Sequence, residues 1–144
     1  MIRPAVETDA PAMAAVLSDW IDATSWMPRI HTREEDFAHC QSLLCHHQVW
    51  AADTAQGFGF MAADKGHVLA LYLAPELRRA GWGASLLNAL KPLQPKLSLW
   101  TFQANRPALR FYRAQGFRVD ELTDGQGNAE KLPDCLMTWE RDRK

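Results

Sequence analysis

The chain has 144 residues, of which 47% are hydrophobic and 23% are charged, and its formal net charge is −1. This size and balance predict one globular domain over residues 1–144. The near-neutral net charge argues against a nucleic-acid partner, because proteins that bind nucleic acids usually carry an excess of basic residues. No apolar run approaches the roughly 20 residues that span a bilayer, and the first residues lack the apolar stretch of a secretion signal. We therefore expect a soluble, cytoplasmic protein with no membrane partner.

The first third of the chain predicts one strand followed by two helices. A short strand is expected over residues 1–6. Apolar residues then recur at helical spacing, after Thr8 and Asp9 as candidate helix caps. An irregular segment, 23–31, separates this helix from a second one. The second helix is predicted to begin near Thr32, because the acidic residues that follow favour the positive end of a helix dipole.

The rest of the chain alternates between strand and helix patterns. Strands are predicted at 48–53, 58–63, 67–73, 97–102, 117–122 and 135–140. One helix is predicted after residue 84, with an apolar stripe made of Leu86, Leu87, Leu90 and Leu93. Another is predicted over 105–115, ended by Gly116. These elements predict one α+β domain with a mixed, mostly antiparallel central sheet.

The cysteines predict neither disulfides nor a metal centre. Cys40, Cys45 and Cys135 are odd in number and show no close pairing. Cys40 and Cys45 lie near His46 and His47, so zinc has to be considered. Their spacing matches no common zinc pattern, and we expect no metal site.

The segment 71–87 combines a strand, a proline, a glycine loop and an apolar helix. Gly81 and Gly83 allow a tight turn and a close approach of the backbone to a ligand. The loop leads into a helix N-terminus, where unpaired N–H groups and the dipole attract an anion, and Arg78 and Arg79 add positive charge. The pattern favours a phosphate or pyrophosphate ligand, although the two glycines alone are also typical of an ordinary tight turn.

Two common phosphate-binding motifs do not fit this loop. A P-loop needs four residues between its glycines, followed by Gly-Lys-Ser or Gly-Lys-Thr, and both features are missing. A dinucleotide-binding fingerprint would need Gly or Ala where Leu86 stands. A relaxed form of that fingerprint occurs at 57–62, but inside a predicted hairpin strand, and we reject it.

A second constellation lies on the helix that begins near Asn105. Asn105, Ala108 and Tyr112 share one face of that helix by the i, i+3, i+7 rule. An amide, a small residue and a phenol on one stripe suit the passage of a slender polar chain. Tyr112 is also compatible with an ordinary core tyrosine whose hydroxyl is satisfied.

Together the two segments resemble the GNAT N-acetyltransferase superfamily. Residues 78–84, Arg-Arg-Ala-Gly-Trp-Gly-Ala, look like its acetyl-CoA loop, Gln/Arg-x-x-Gly-x-Gly/Ala. Residues 105–117 are similar to its later Asn…Ala…Tyr…Gly-Phe segment, and the two lie in the right order. The resemblance implies an acetyl-CoA-dependent N-acetyltransferase without a metal. It also implies a GNAT-like fold, in which about six to seven strands are flanked by about four helices.

The resemblance also implies roles for individual residues. Loop N–H groups would bind the CoA pyrophosphate, and the pantetheine arm would lie beside the preceding strand where that strand splays from the next. A backbone N–H near Tyr72 or Leu73 is the expected oxyanion donor, and Tyr112 is the expected general acid near the thioester sulfur. The expected cofactor-binding residues are Leu71, Tyr72, Leu73, Arg78, Arg79, Ala80, Gly81, Trp82, Gly83, Ala84, Asn105, Ala108 and Tyr112.

The general base is less constrained than the acid. Many superfamily members have a glutamate early in the strand before the loop, and His67 stands at that position here. An imidazole, with an ordinary pKa of about 6.5, can accept the proton. The interpretation that His67 merely begins a strand at a turn is slightly favoured. Asp19, His31 and a chain of waters are the alternatives.

The acceptor side is the most variable part of the superfamily. The resemblance places it at the first helices and the loop between them, where Trp26, Arg29 and His31 are candidate wall residues. Aromatic side chains there would suit an apolar or cationic acceptor, whereas Trp20 is better explained by packing. The polar loop 123–134 either covers the site or is a solvated connection.

Three functions stay open at this point. The leading expectation is direct attack by a primary amine of a small molecule. The first alternative is a protein N-terminus or lysine as acceptor. The second, from another class, is a non-catalytic acyl-CoA sensor, against which Tyr112 counts because binding alone needs no proton donor. The resemblance also makes a homodimer possible.

Overall fold

Seven strands form a single sheet in the computed structural model, which describes residues 1–142. The last two residues of the predicted domain lie outside this range. The strands are β1 (Ile2–Pro4), β2 (Gln48–Thr54), β3 (Gly57–Asp64), β4 (His67–Leu73), β5 (Lys96–Phe102), β6 (Arg118–Leu122) and β7 (Asp134–Glu140). The α-helices are α1 (Ala10–Ala23), α2 (Arg33–His46), α3 (Trp82–Leu90) and α4 (Arg106–Ala114).

The sheet is mixed and mostly antiparallel, as the sequence predicts. Its strand order is β1-β2-β3-β4-β5-β7-β6. Only β4 and β5 are parallel, and the other neighbours pair in antiparallel fashion. Within residues 1–142 there are seven strands and four α-helices, which confirms the expected α+β, GNAT-like architecture. None of these helices is long and apolar enough to cross a membrane.

Alternation along β3 builds a core on each face of the sheet. Phe60 and Ala62 pack with α1 and α2, whereas Met61 and Ala63 pack with α3 and the end of α4. All four side chains are fully buried. This is the period-two pattern expected of a central strand covered on both faces. The two helical layers hold β3 and β4 between them.

Both α1 and α2 start where the sequence predicts, after Asp9 and Thr32, but only α2 is capped by the side chain of the expected residue. Thr32 caps α2, since its hydroxyl accepts from the Glu35 N–H at 3.1 Å and the Glu35 carboxylate accepts from the Thr32 N–H at 2.8 Å. The Asp9 carboxylate does not cap α1. It accepts instead from the Val6 N–H at 2.8 Å and from the Arg3 guanidinium at 2.8 Å.

The apolar stripe of α3 is one residue shorter than predicted. Leu86, Leu87 and Leu90 are fully buried, but Leu93 is 58% exposed. The helix ends at Leu90, and a short 3-10 turn follows over 91–93. Pro92 explains the change, because it has no N–H with which to continue the helical ladder.

Candidate active site

The parallel strands β4 and β5 separate after only two pairs of residues. These pairs join His67 to Ser98 and Val68 to Leu99. Along its other edge β4 stays paired with β3, apart from a bulge at Leu69. The second half of β4 therefore keeps one edge without a strand partner, and this edge faces an open cleft.

The cleft between the splayed strands has a volume of about 1040 Å³. It is lined by β4, β5, the 78–84 loop, α4 and the end of α1. All the predicted cofactor-binding residues line it except Ala80 and Trp82. Trp82 packs instead against the core beneath α3. The two sequence segments that carry the family resemblance therefore meet in one cavity.

The 78–84 loop presents an uncapped helix N-terminus to this cleft. Gly81 is the residue before α3, has a φ of +84°, and provides no side-chain cap. The first helical bond runs from the Ser85 N–H to the Gly81 carbonyl at 3.0 Å, which leaves the earlier N–H groups without intrahelical partners. Arg78 and Arg79 line the same cleft and are exposed. These donors and charges fit the pyrophosphate of CoA.

The two glycines of the loop have different purposes. A Cβ on Gly81 would meet nothing within 4 Å, so its left-handed backbone alone requires glycine. A Cβ on Gly83 would lie 2.8 Å from Cζ of Phe111, at the contact between α3 and α4. A Cβ at position 83 would displace the Phe111 ring, so Gly83 serves helix packing in addition to its place beside the cleft, which the sequence analysis did not anticipate.

The predicted stripe on α4 faces the cleft. Asn105, Ala108 and Tyr112 all line it. The Asn105 side-chain oxygen caps α4 by accepting from the Ala108 N–H at 3.3 Å. Because this bond uses only the oxygen, the amide N–H donors of Asn105 stay available to a ligand.

Tyr112 brings a neutral phenol to the inner part of the cleft. The residue is 8% exposed, and its ring packs edge-on against Phe111 and Phe117 at centroid distances of 5.2 and 5.5 Å. Its hydroxyl makes no hydrogen bond to any residue between 1 and 142. Burial raises the pKa of the phenol far above its ordinary value, and the neighbouring Tyr72 raises it further. The hydroxyl is a protonated donor at physiological pH.

A second cavity, of about 590 Å³, adjoins the cleft. It lies between α1, α2 and the loop that joins them, and Glu130 lines it from the 123–133 loop. Trp20, Tyr72 and Phe102 line both cavities, and we call these three residues the aromatic wall. The two cavities therefore border each other at this wall.

The predicted acceptor-wall residues are divided between the cavities. Trp26 lines the cleft, whereas Arg29 and His31 line the second cavity. Arg29 is already engaged, because it binds Asp22 at 2.6 Å and the buried Asp36 at 3.0 Å. It also donates to two backbone carbonyls. These carboxylates raise the pKa of Arg29, and their bonds hold the loop onto α1 and α2.

The structure does not bring the candidate bases to the cleft. His67 lines neither cavity, and its Nδ1 lies 2.8 Å from the Ser98 hydroxyl where β4 and β5 are still paired. Asp19 lines neither cavity and binds the exposed Arg33 at 2.9 Å. Neither residue therefore stands where it can take a proton in either cavity, whereas His31, the third candidate, lines the second cavity.

Sequence reasoning missed the β5 side of the cleft. Trp100, Thr101 and Phe102 line it, and Trp100 is 44% exposed although it lies in a central strand. The expected separation of β4 from the next strand could have indicated this side of the cleft, because it uncovers the facing edges of both strands. Within residues 1–142 no three His, Cys, Asp or Glu side chains are grouped to hold a metal.

A free strand edge beside an uncapped helix N-terminus suits a transferase whose donor carries both phosphates and a chain of amides, as acyl-CoA does. The model of the acetyltransferase (GNAT) domain matches residues 45–119, and the chain belongs to this family. It is an acetyl-CoA-dependent N-acetyltransferase, which confirms the family, the fold and the cofactor predicted from the sequence.

Three known proteins illustrate the likeness. Over 148 aligned residues the chain is 30% identical to the peptidyl-lysine N-acetyltransferase YiaC of Escherichia coli K12, with 96% of each sequence covered. The solution structure of apo YjaB from Escherichia coli matches with a TM-score of 0.79 at 24% identity, over 96% of each chain. The structure of yncA from Salmonella typhimurium with its cofactor acetyl-CoA matches with a TM-score of 0.75 at 18% identity, over 100% of this chain and 95% of that one.

Proposed function

We propose that the chain acetylates a primary amine carried on a flexible aliphatic chain, with the lysine side chain of a peptide or protein as the first acceptor to test. The observation that carries this proposal is the second cavity, which meets the cleft at the aromatic wall and holds the carboxylate of Glu130. The relative YiaC, which is named a peptidyl-lysine N-acetyltransferase, supports it. Lysine, an alternative in the sequence analysis, thus ranks ahead of a small-molecule amine.

The cleft holds the donor substrate, and one domain carries both sites. Acetyl-CoA supplies an acyl group that is activated as a thioester. The uncapped N–H groups of α3, with Arg78 and Arg79, hold its phosphates, and the open edge of β4 pairs with the amides of its pantetheine arm. Asn105 contributes its amide N–H donors. A backbone N–H near Tyr72 or Leu73 stabilises the negative charge that develops on the thioester oxygen.

Tyr112 acts on the departing sulfur. An ordinary thiol has a pKa of about 8.5, which is below the pKa of the buried phenol, so complete proton transfer from Tyr112 to the thiolate is uphill. A hydrogen bond donated to the sulfur as charge develops needs no such transfer and stabilises the transition state. Tyr112 therefore serves as a neutral donor that assists departure of the thiolate.

The amine loses its proton through water. An alkylamine with a pKa of about 10.4 is neutral in only about one molecule in a thousand near neutral pH. His67 and Asp19 line neither cavity, so neither stands where it can take the proton directly. His31 lines the second cavity, and it is the side-chain alternative to water as the group that receives the proton. The rate therefore follows the fraction of neutral amine, and kcat/KM rises with pH toward the pKa of the acceptor.

The experiment that tests the function is acetyl-CoA-dependent release of thiol with an Nα-blocked lysine peptide. The control peptide carries acetyl-lysine at the same position, and a parallel arm uses free polyamines, amino acids and aminoglycosides. We expect turnover with the lysine peptide and none with its control. Turnover of free amines alone would make the acceptor a small molecule. Silence in both arms, with CoA binding shown by calorimetry, would favour a non-catalytic sensor.

A further inference from the structure

Four aromatic rings form a continuous row along the boundary between the two cavities. Tyr72 contacts Trp20 at a centroid distance of 5.4 Å, and Trp20 contacts Trp26 at 5.9 Å. Trp26 in turn contacts Phe102 at 5.9 Å. The rings meet at interplanar angles of 57° to 81°, so they are tilted or edge-on and are not stacked face to face. This arrangement presents both faces and edges of large π-systems to the space around them.

Glu130 lies beside this row of aromatic rings and has no partner among the described residues. It is half-buried and lines the second cavity, and it makes no ion pair or hydrogen bond to any residue between 1 and 142. Burial raises the pKa of Tyr72 to about 12, and the Glu130 carboxylate is the next contributor, which places its charge close to that phenol. A carboxylate held beside π-faces is a complementary environment for a cation.

The other carboxylates that line the second cavity are already engaged. Asp36 accepts from the Ser18 hydroxyl at 2.6 Å and pairs with Arg29 at 3.0 Å. Glu35 caps α2 through the Thr32 N–H. Arg29 is the one arginine or lysine that lines the cavity among the described residues, and its charge is already paired. Among the described residues that line the cavity, Glu130 is the carboxylate with neither an ion pair nor a hydrogen bond, whereas the charge of Glu35 lies at the exposed start of α2.

We propose that the aromatic wall and Glu130 form a recognition site for the ammonium group of the acceptor, which selects cationic alkylamines over neutral molecules of the same shape. This inference rests on the proposed function and deepens it, because it names the feature of the acceptor that is recognised. The ammonium form is the abundant species near neutral pH, so its capture at the wall loads the acceptor beside the cleft. Release of the proton to water then frees the nitrogen for attack.

Calorimetric binding of a substrate analogue that cannot react tests this site. The probe is a peptide that carries trimethyllysine, and its partner carries the neutral carbon analogue, in which carbon replaces the quaternary nitrogen. We expect the cationic probe to bind about 10-fold more tightly than the neutral one. Glu130→Gln should reduce this preference about fivefold, as should Trp20→Leu, whereas Trp20→Phe should keep most of it. Glu121 is an exposed carboxylate outside both cavities. Glu121→Gln is therefore the matched control and should keep the preference for the cationic probe.

Turnover of the lysine peptide gives a second readout. Glu130→Gln should raise KM for the peptide about fivefold without lowering kcat, because it weakens capture of the ammonium and also makes its proton easier to lose. Retained CoA binding shows that each variant is folded. Equal binding of the two probes, or no binding of either, overturns the inference even if lysine is acetylated. A charge preference without acetylation of any amine would instead overturn the proposed function.

Discussion

Replacing Tyr112 with phenylalanine removes one hydroxyl from the cleft and leaves the packed ring in place. Because the hydroxyl has no hydrogen-bond partner among residues 1–142, its removal leaves no other polar group without a hydrogen bond. We therefore expect the free energy of unfolding to change by less than about 0.5 kcal/mol. A hydrogen bond to a charged sulfur is worth about 1.5–3 kcal/mol, so kcat should fall about 10- to 150-fold.

The assay for Tyr112→Phe is thiol release at saturating acetyl-CoA and acceptor. The thermal shift produced by CoA should stay the same, since the loop and β4 still bind the donor. Tyr72→Phe is the matched control, because Tyr72 is the other tyrosine of the chain and keeps its ring in the wall. Its loss in kcat should be much smaller. An unchanged kcat in Tyr112→Phe would refute the assignment of Tyr112 as donor, and a parallel loss of the CoA shift would make the effect structural.

Other substitutions separate catalysis, packing and charge in the same fold. His67→Ala should keep the wild-type rise of kcat/KM with pH, and a loss confined to low pH would restore His67 as the base. Gly83→Ala forces its Cβ against Phe111, so urea unfolding should show a loss of about 1–3 kcal/mol, with a weaker thermal shift by CoA because Phe111 lines the cleft. The bonds from Arg3 keep the pKa of Asp9 below its ordinary value. The stability they provide is present above the unfolded pKa and is lost as pH falls through the folded one. Asp9→Asn should therefore cost about 1 kcal/mol at neutral pH, and this cost should shrink as the pH falls through the folded pKa of Asp9, as measured by urea unfolding.

Elements defined by neighbouring residues could be predicted from the sequence. The bounds of β4 follow from the Lys65-Gly66 turn and from Pro75, both adjacent to the strand. The start of α2 follows from Thr32 and Glu35, three residues apart in one capping box. In such cases the contacts that set the ends of the element lie within a few residues of each other, so the sequence pattern is enough to predict them.

Contacts between distant or competing groups could not be predicted in this way. Asp9 looks like a helix cap, but Arg3 on β1 competes successfully for its carboxylate. The close approach of Phe111 to Gly83 depends on how α4 packs against α3. Glu130 looks like part of a solvated loop, and only the folded chain places it beside Tyr72.

The donor half of the site depends on groups that are close in sequence, whereas the acceptor half depends on groups that are far apart in sequence. This difference has a consequence for specificity. In the proposed mechanism the donor half depends mainly on backbone N–H groups of one loop and on one free strand edge, which many side-chain substitutions would leave intact. The acceptor half depends on side chains from α1, β4, β5 and the 123–133 loop, which meet only in three dimensions. Substitutions such as Trp20→Leu should therefore change KM for the amine and leave KM for acetyl-CoA nearly constant. The backbone groups proposed to hold the thioester differ from most of the side chains proposed to choose the amine, with Tyr72 on β4 as a shared residue, so the acceptor preference can change while donor binding is kept.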